Sequence, residues 1–173
     1  MPLALRARTG LCPGYDDIPA TMNAKAQPVT DSPLGGSIVE GVEAIRFRLH
    51  SDRRGNLVAF DRQQGLPFDL RRVFLVYDVP ASAERAGHAL SAEALYVAAR
   101  GALTLALDNG REQAVVRLDN PEIGIHVHAG VFLTARNFTP DALFMVLSSR
   151  DFAEVTYAPG PFFFQNRRTG PKG

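Results

Sequence analysis

The run Asp108-Asn109-Gly110 constrains the fold more than any other feature of the chain. Asn-Gly readily takes the positive φ angles of a tight primed turn, so it predicts the tip of a β-hairpin. Upstream, residues 94–99 and 102–107 are two short apolar runs with Gly101 between them, which marks a second turn or a bulge. Downstream, residues 113–118 alternate Val and Arg near their end, as a further strand does. The histidine-bearing segments, at His88 and at His126 and His128, then fall on strands of one β structure.

The remaining pattern extends that reading. Residues 44–49 alternate Ile45, Phe47 and Leu49 against Arg46 and Arg48, which predicts one half-buried strand. A charged turn over 52–56, with Gly55, leads to a second strand over 57–60. Residues 72–78 hold Val73, Phe74, Leu75, Val76 and Tyr77 almost unbroken, which predicts a strand buried on both faces. A loop over 80–86 delivers His88, and 123–131 followed by 132–135 form the next strands. Turn signals at 119–121 and 139–141 precede a buried strand over 142–148 and one helical turn over 149–154. A helix over 91–100, capped by Ser91, is the competing local reading. About nine or ten short strands and no long amphipathic helix predict an all-β sandwich or barrel.

At 173 residues the chain suits one domain, and a net charge of +1 offers no argument for nucleic acid or membrane as a partner. The single cysteine, Cys12, excludes an intramolecular disulfide and suits a reducing compartment. No stretch approaches the roughly 20 apolar residues of a membrane span, so a cytoplasmic protein is expected. Residues 1–40, with five prolines and Gly35-Gly36, read as an extended arm in which Met22 is a second candidate start. Residues 41–164 form the domain, and 165–173 a flexible basic tail.

Six motifs in order carry a resemblance. They are Asp52-Arg53-Arg54-Gly55-Asn56-Leu57, Pro67-Phe68 with Arg72-Val73, Arg85-Ala86-Gly87-His88-Ala89, Asp108-Asn109-Gly110, Asn120-Pro121 with Gly124, and Met145-Val146-Leu147-Ser148-Ser149. Over residues 44–164 the chain resembles the cupin-fold nucleotide-sugar 3,4-ketoisomerases, the WxcM-like family. The resemblance implies a cupin, a jelly-roll β-sandwich barrel, working as a homodimer without cofactor or metal. Its substrate would be a dTDP-linked 4-keto-6-deoxyhexose, whose carbonyl moves from C4 to C3 by proton abstraction beside it. A base with a pKa near neutrality suits that step, and the motif match assigns it to His88.

Several polar positions depart from the family's pattern. The second imidazole of its H-A-H is Leu90, the phenol of its R-V-Y is Phe74, and its Trp-His pair is Phe132-Leu133. With Leu90 and Leu133 in place of two ligands, a cupin metal set would keep only His88 and Glu93. Arg72 and Arg85 match substrate-side positions and suit a diphosphate; surface ion pairing is the alternative. His126 and His128, two residues apart, either enter the barrel and join the substrate-binding residues or lie on an outer face, since Ile125 and Val127 also need burial. Tyr77, Tyr96 and Tyr157 either stack on a base or pack the core, with Tyr157 at a position that the resemblance places near the substrate. Two functions remain: an isomerase, or a homologue that binds a nucleotide-sugar or a protein partner without turnover.

Overall fold

A computed structural model describes residues 36–165. Expectations that concern Cys12, Met22 and the rest of the arm up to Gly35, or the tail beyond Gln165, lie outside the described residues. Thirteen strands and one 3-10 turn make up the described chain. One sheet holds β1 (Gly36–Val39), β2 (Val42–Arg46), β10 (Ile123–Val127), β7 (Ala94–Arg100), β12 (Leu143–Ser148) and β5 (Arg72–Tyr77), side by side in that order. The other holds β13 (Tyr157–Ala158), β6 (Arg85–Leu90), β11 (Phe132–Arg136), β8 (Leu103–Asp108) and β9 (Gln113–Leu118). A separate hairpin pairs β3 (Leu49–Asp52) with β4 (Gly55–Val58). Every pairing is antiparallel, and the two large sheets close on a shared core in the jelly-roll manner. β1 lies within the segment that the sequence marks as an arm.

Alternation sorts the residues of the six-stranded sheet. Ala94, Tyr96 and Ala98 of β7 face the inner core with Leu103, Leu105, Leu107, Leu133 and Ala135 of the opposite sheet. Leu95 and Val97 face outward, beneath Phe47, Leu66 and Phe68. β7 is therefore apolar on both faces, and its helix-forming residues are overruled by tertiary burial.

Three expectations need correction. The strand over 44–49 ends at Arg46, and the Phe47 N–H adds one last bond in the same register, donating to the Glu122 carbonyl at 2.8 Å. Phe47 then covers the outer face of the sheet at 1% exposure, and its ring meets Phe60 at 4.8 Å. β5 is buried on one face only: Val73 is 50%, Leu75 49% and Tyr77 61% exposed. Its place at the sheet edge explains this, and an apolar run cannot by itself tell an edge strand from a central one. The Asn-Gly turn is longer than a two-residue hairpin. Asp108 pairs with Gln113, and only Gly110, at φ +92°, is left-handed there. The side chain of Asn109 replaces turn geometry by accepting from the Arg111 and Glu112 N–H groups and donating to the Glu40 carbonyl.

Glycine is required where the chain turns against a neighbour. Gly101 joins β7 to β8 at φ +63°, and a Cβ there would lie 2.5 Å from Thr139 Oγ1 and 2.7 Å from Ala142 Cα. Gly65, at φ +100°, faces open space. Ala86 holds φ +66° without being glycine. Chemical denaturation should therefore give Gly101→Ala a cost of about 3 kcal/mol and Gly65→Ala a cost of about 1 kcal/mol. Ala86→Gly should gain up to about 1 kcal/mol. Equal costs for the two glycine variants would contradict this account of the turns.

Candidate functional site

A bulge sets the first candidate. Ala86 and Gly87 take φ +66° and +74°, and the pairing of β6 with β11 skips Gly87. Leu133 pairs with His88 and Ala135 with Arg85, so the bulge puts Arg85 and His88 on one face although they are three residues apart. Leu133 and Ala135 belong to the inner core, which identifies that face as the interior of the barrel. His88 is half-buried there, in a row continued by Leu133, Leu107 and Ala114.

The ring of Tyr157, on β13 beside Leu90, meets His88 edge to face at 4.8 Å. Phe152 of the 3-10 turn lies 6.3 Å from Tyr157, and the Arg72 guanidinium sits 4.8 Å from Phe152 and 4.5 Å from Phe74. Four elements thus bring His88, Tyr157 and Arg72 into one chain of contacts at the barrel rim. Among the described residues, neither Arg72 nor Arg85 pairs with a carboxylate. Phe152, the link, was not singled out from the sequence; it sits in a turn and belongs to no periodic run.

His126 and His128 are in a different place. The inner face of β10 is taken by Ile125 and Val127, so His126 points outward, against Phe68 at 5.8 Å. It is 3% exposed, its Nε2 is 3.1 Å from a Glu93 carboxylate oxygen, and its Nδ1 is buried without a hydrogen bond, 4.0 Å from Glu43. The His128 ring stands 4.6 Å from His126 and 6.3 Å from Phe163. The structure brings these two imidazoles together, but on the outer face of the other sheet from His88. No group of His, Cys, Asp and Glu among the described residues is arranged to hold a metal ion. A surface hollow beside the hairpin, lined by Arg48, His50, Arg54 and Asn56, contains none of the candidate residues.

Burial lowers the pKa of His88 below the usual 6.5, against a smaller opposing effect of the Ala86 backbone. Burial also lowers that of His126, with Glu93 opposing and His128 adding to the fall. Both rings are neutral at pH 7, the form a base requires. The unfolded chain takes up these protons near 6.5 while the folded chain resists, so stability is whole above that pH and falls below it. Denaturation midpoints between pH 7.5 and 5 should show this loss, and His126→Gln should reduce it. A stability independent of pH over that range would contradict the burial of the two rings.

Comparison with known proteins agrees with this architecture. Residues 40–167 match the family described as FdtA: WxcM-like, C-terminal. A TDP-4-oxo-6-deoxy-α-D-glucose-3,4-oxoisomerase of Aneurinibacillus thermoaerophilus is 31% identical over 116 residues, covering 66% of this chain and 84% of that protein. A solved 3,4-ketoisomerase from Helicobacter canadensis is 26% identical with a TM-score of 0.62, covering 66% of this chain and 89% of the other. The WlaRB TDP-quinovose 3,4-ketoisomerase from Campylobacter jejuni, at 24% identity, shares the fold with a TM-score of 0.67 over 70% of this chain and 95% of its own. The match spans most of the chain, and the fold is shared: the chain belongs to the FdtA family of WxcM-like proteins.

Proposed function

We propose that the protein is a nucleotide-sugar 3,4-ketoisomerase acting on a dTDP-linked 4-keto-6-deoxyhexose, and that it works as a cytoplasmic homodimer. The observation that carries this reading is the neutral His88 imidazole on the inner face of the barrel, with Tyr157 against it and Arg72 at the same rim. His88 takes the C3 proton, and the electrons left behind form the C3–C4 double bond of an enediol as O4 gains a proton. O3 then loses its proton, the protons on the two oxygens exchanging with water, and the His88 imidazolium returns its proton to C4, which moves the carbonyl without any change of overall oxidation state. Arg72 and Arg85 bind the diphosphate or sugar oxygens, and Tyr157 stacks at the entrance. The exposed outer stripe of Val73, Leu75 and Tyr77 on β5 supports self-association, since edge strands with open apolar faces are rarely left bare.

A second reading rests on one specific observation: the row of His88 is otherwise apolar, with Leu133 and Leu107 in it and Leu90 and Phe74 nearby. In that reading the barrel binds a nucleotide-sugar, or a protein partner, without turning anything over. Incubation with dTDP-4-keto-6-deoxyglucose, followed by NMR, separates the two. Formation of the 3-keto sugar, lowered about 10²–10⁴-fold by His88→Ala, is expected for the isomerase. Arg72→Ala should weaken dTDP binding about tenfold, the equivalent of losing one charge-assisted contact. Binding without product from the wild type would favour the second reading.

A further inference from the structure

The inner face of the six-stranded sheet is ordered in rows that run inward from the rim. Arg72, Ser148, Ala94, Val127 and Val42 are cross-strand partners in the first row. Phe74, Val146, Tyr96, Ile125 and Ala44 form the second, and Val76, Phe144 and Ala98 stand in the third. Tyr96 is thus one row below Arg72, two strands from Phe74 and about 10 Å from it by strand spacing. Phe74 itself carries no hydroxyl.

Tyr96 is 5% exposed and its ring stacks on Phe144 at 5.8 Å and 19°. A phenol this deep ordinarily finds a hydrogen-bond partner. None exists for Tyr96 among the described residues, yet its oxygen is not one of the sealed, unpartnered atoms, which are His126 Nδ1 and Arg136 Nε. Tyr96 belongs to the inner core of the barrel, so its hydroxyl is a donor without a partner there among the described residues. Burial raises its pKa, and the nearby Tyr157 phenol raises it further, so Tyr96 stays protonated and can donate. Tyr157 in turn touches His88.

We infer that Tyr96 is a catalytic residue of the proposed isomerisation, its phenol donating from the second row of the barrel to the sugar oxygen that carries the developing enediolate charge. This rests on the reading of the site as a ketoisomerase. It supplies a donor in the row where Phe74 has none. Tyr96 is held by the stack on Phe144 and by its neighbours Ile125 and Val146, so the donor is fixed before substrate arrives, as charge stabilisation requires. It gives up a hydrogen bond, not a proton, as charge builds on O4, and O4 is protonated as the enediol forms.

Tyr96→Phe keeps the stack and removes only the oxygen. Binding of dTDP alone should match the wild type and serves as the control for folding. Binding of dTDP-4-keto-6-deoxyglucose should weaken about tenfold. The kcat should fall about 10²-fold, well beyond the change in KM. Equal affinity of variant and wild type for the keto-sugar nucleotide would overturn the assignment, whether or not the wild type turns over. Weaker keto-sugar binding in the variant, with no turnover by the wild type, would keep Tyr96 on the sugar and sink the isomerase reading instead.

Discussion

Burial of β7 on both of its faces is the constraint from which the rest of the molecule follows. Its outward residues Leu95 and Val97 require a cover, and the segment from Phe47 to Phe68 folds back to provide it. Its inward residues Ala94, Tyr96 and Ala98 require the second sheet, which closes over them with Leu103, Leu105, Leu107 and Leu133. Burying Leu95 and Val97 is worth on the order of 2 kcal/mol each, enough to overrule the helical preference of Ala and Leu along the strand. A jelly roll results because each face of the strand commits a different part of the chain to it.

Chemistry enters this apolar frame at its irregularities. Left-handed Ala86 and Gly87 shift the register of β6, so that Arg85 and His88 share a face that regular alternation would have split. The 3-10 turn after β12 carries Phe152 to Arg72 and Tyr157. Both devices cost local regularity, and both act at the rim. The inner rows of the strands are mostly packing, with the Tyr96 hydroxyl as the polar group of the second row.

Much of the fold was legible from the sequence, because short alternating runs between Gly, Asn and Pro signals say strand and turn in the same terms that the structure uses. The six spaced motifs found the family. What was not legible depended on position in space. Nothing in 44–49 says that the strand stops at Arg46 and that Phe47 covers the outer face of its sheet, and nothing in 72–78 says that one face of β5 is open. At the site, the motif match singled out His88, and the register of β6 against β11 turns it toward the barrel interior. The spacing of His126 and His128 gave them a common face without saying which. Ile125 and Val127 settle that face through the core they join, and the consequence is a buried imidazole between Glu43 and Glu93. Tyr96 looked like packing, and only its unpartnered hydroxyl distinguishes it.

The account depends on a barrel grown more apolar around His88 still drawing a proton from carbon. Exchange of the C3 hydrogen of dTDP-4-keto-6-deoxyglucose with heavy water measures that step alone, without requiring that product accumulate. Deuterium at C3 is expected with the wild-type protein and background labelling with His88→Ala. Tight binding of the sugar nucleotide by the wild type, with no deuterium at C3, would contradict it.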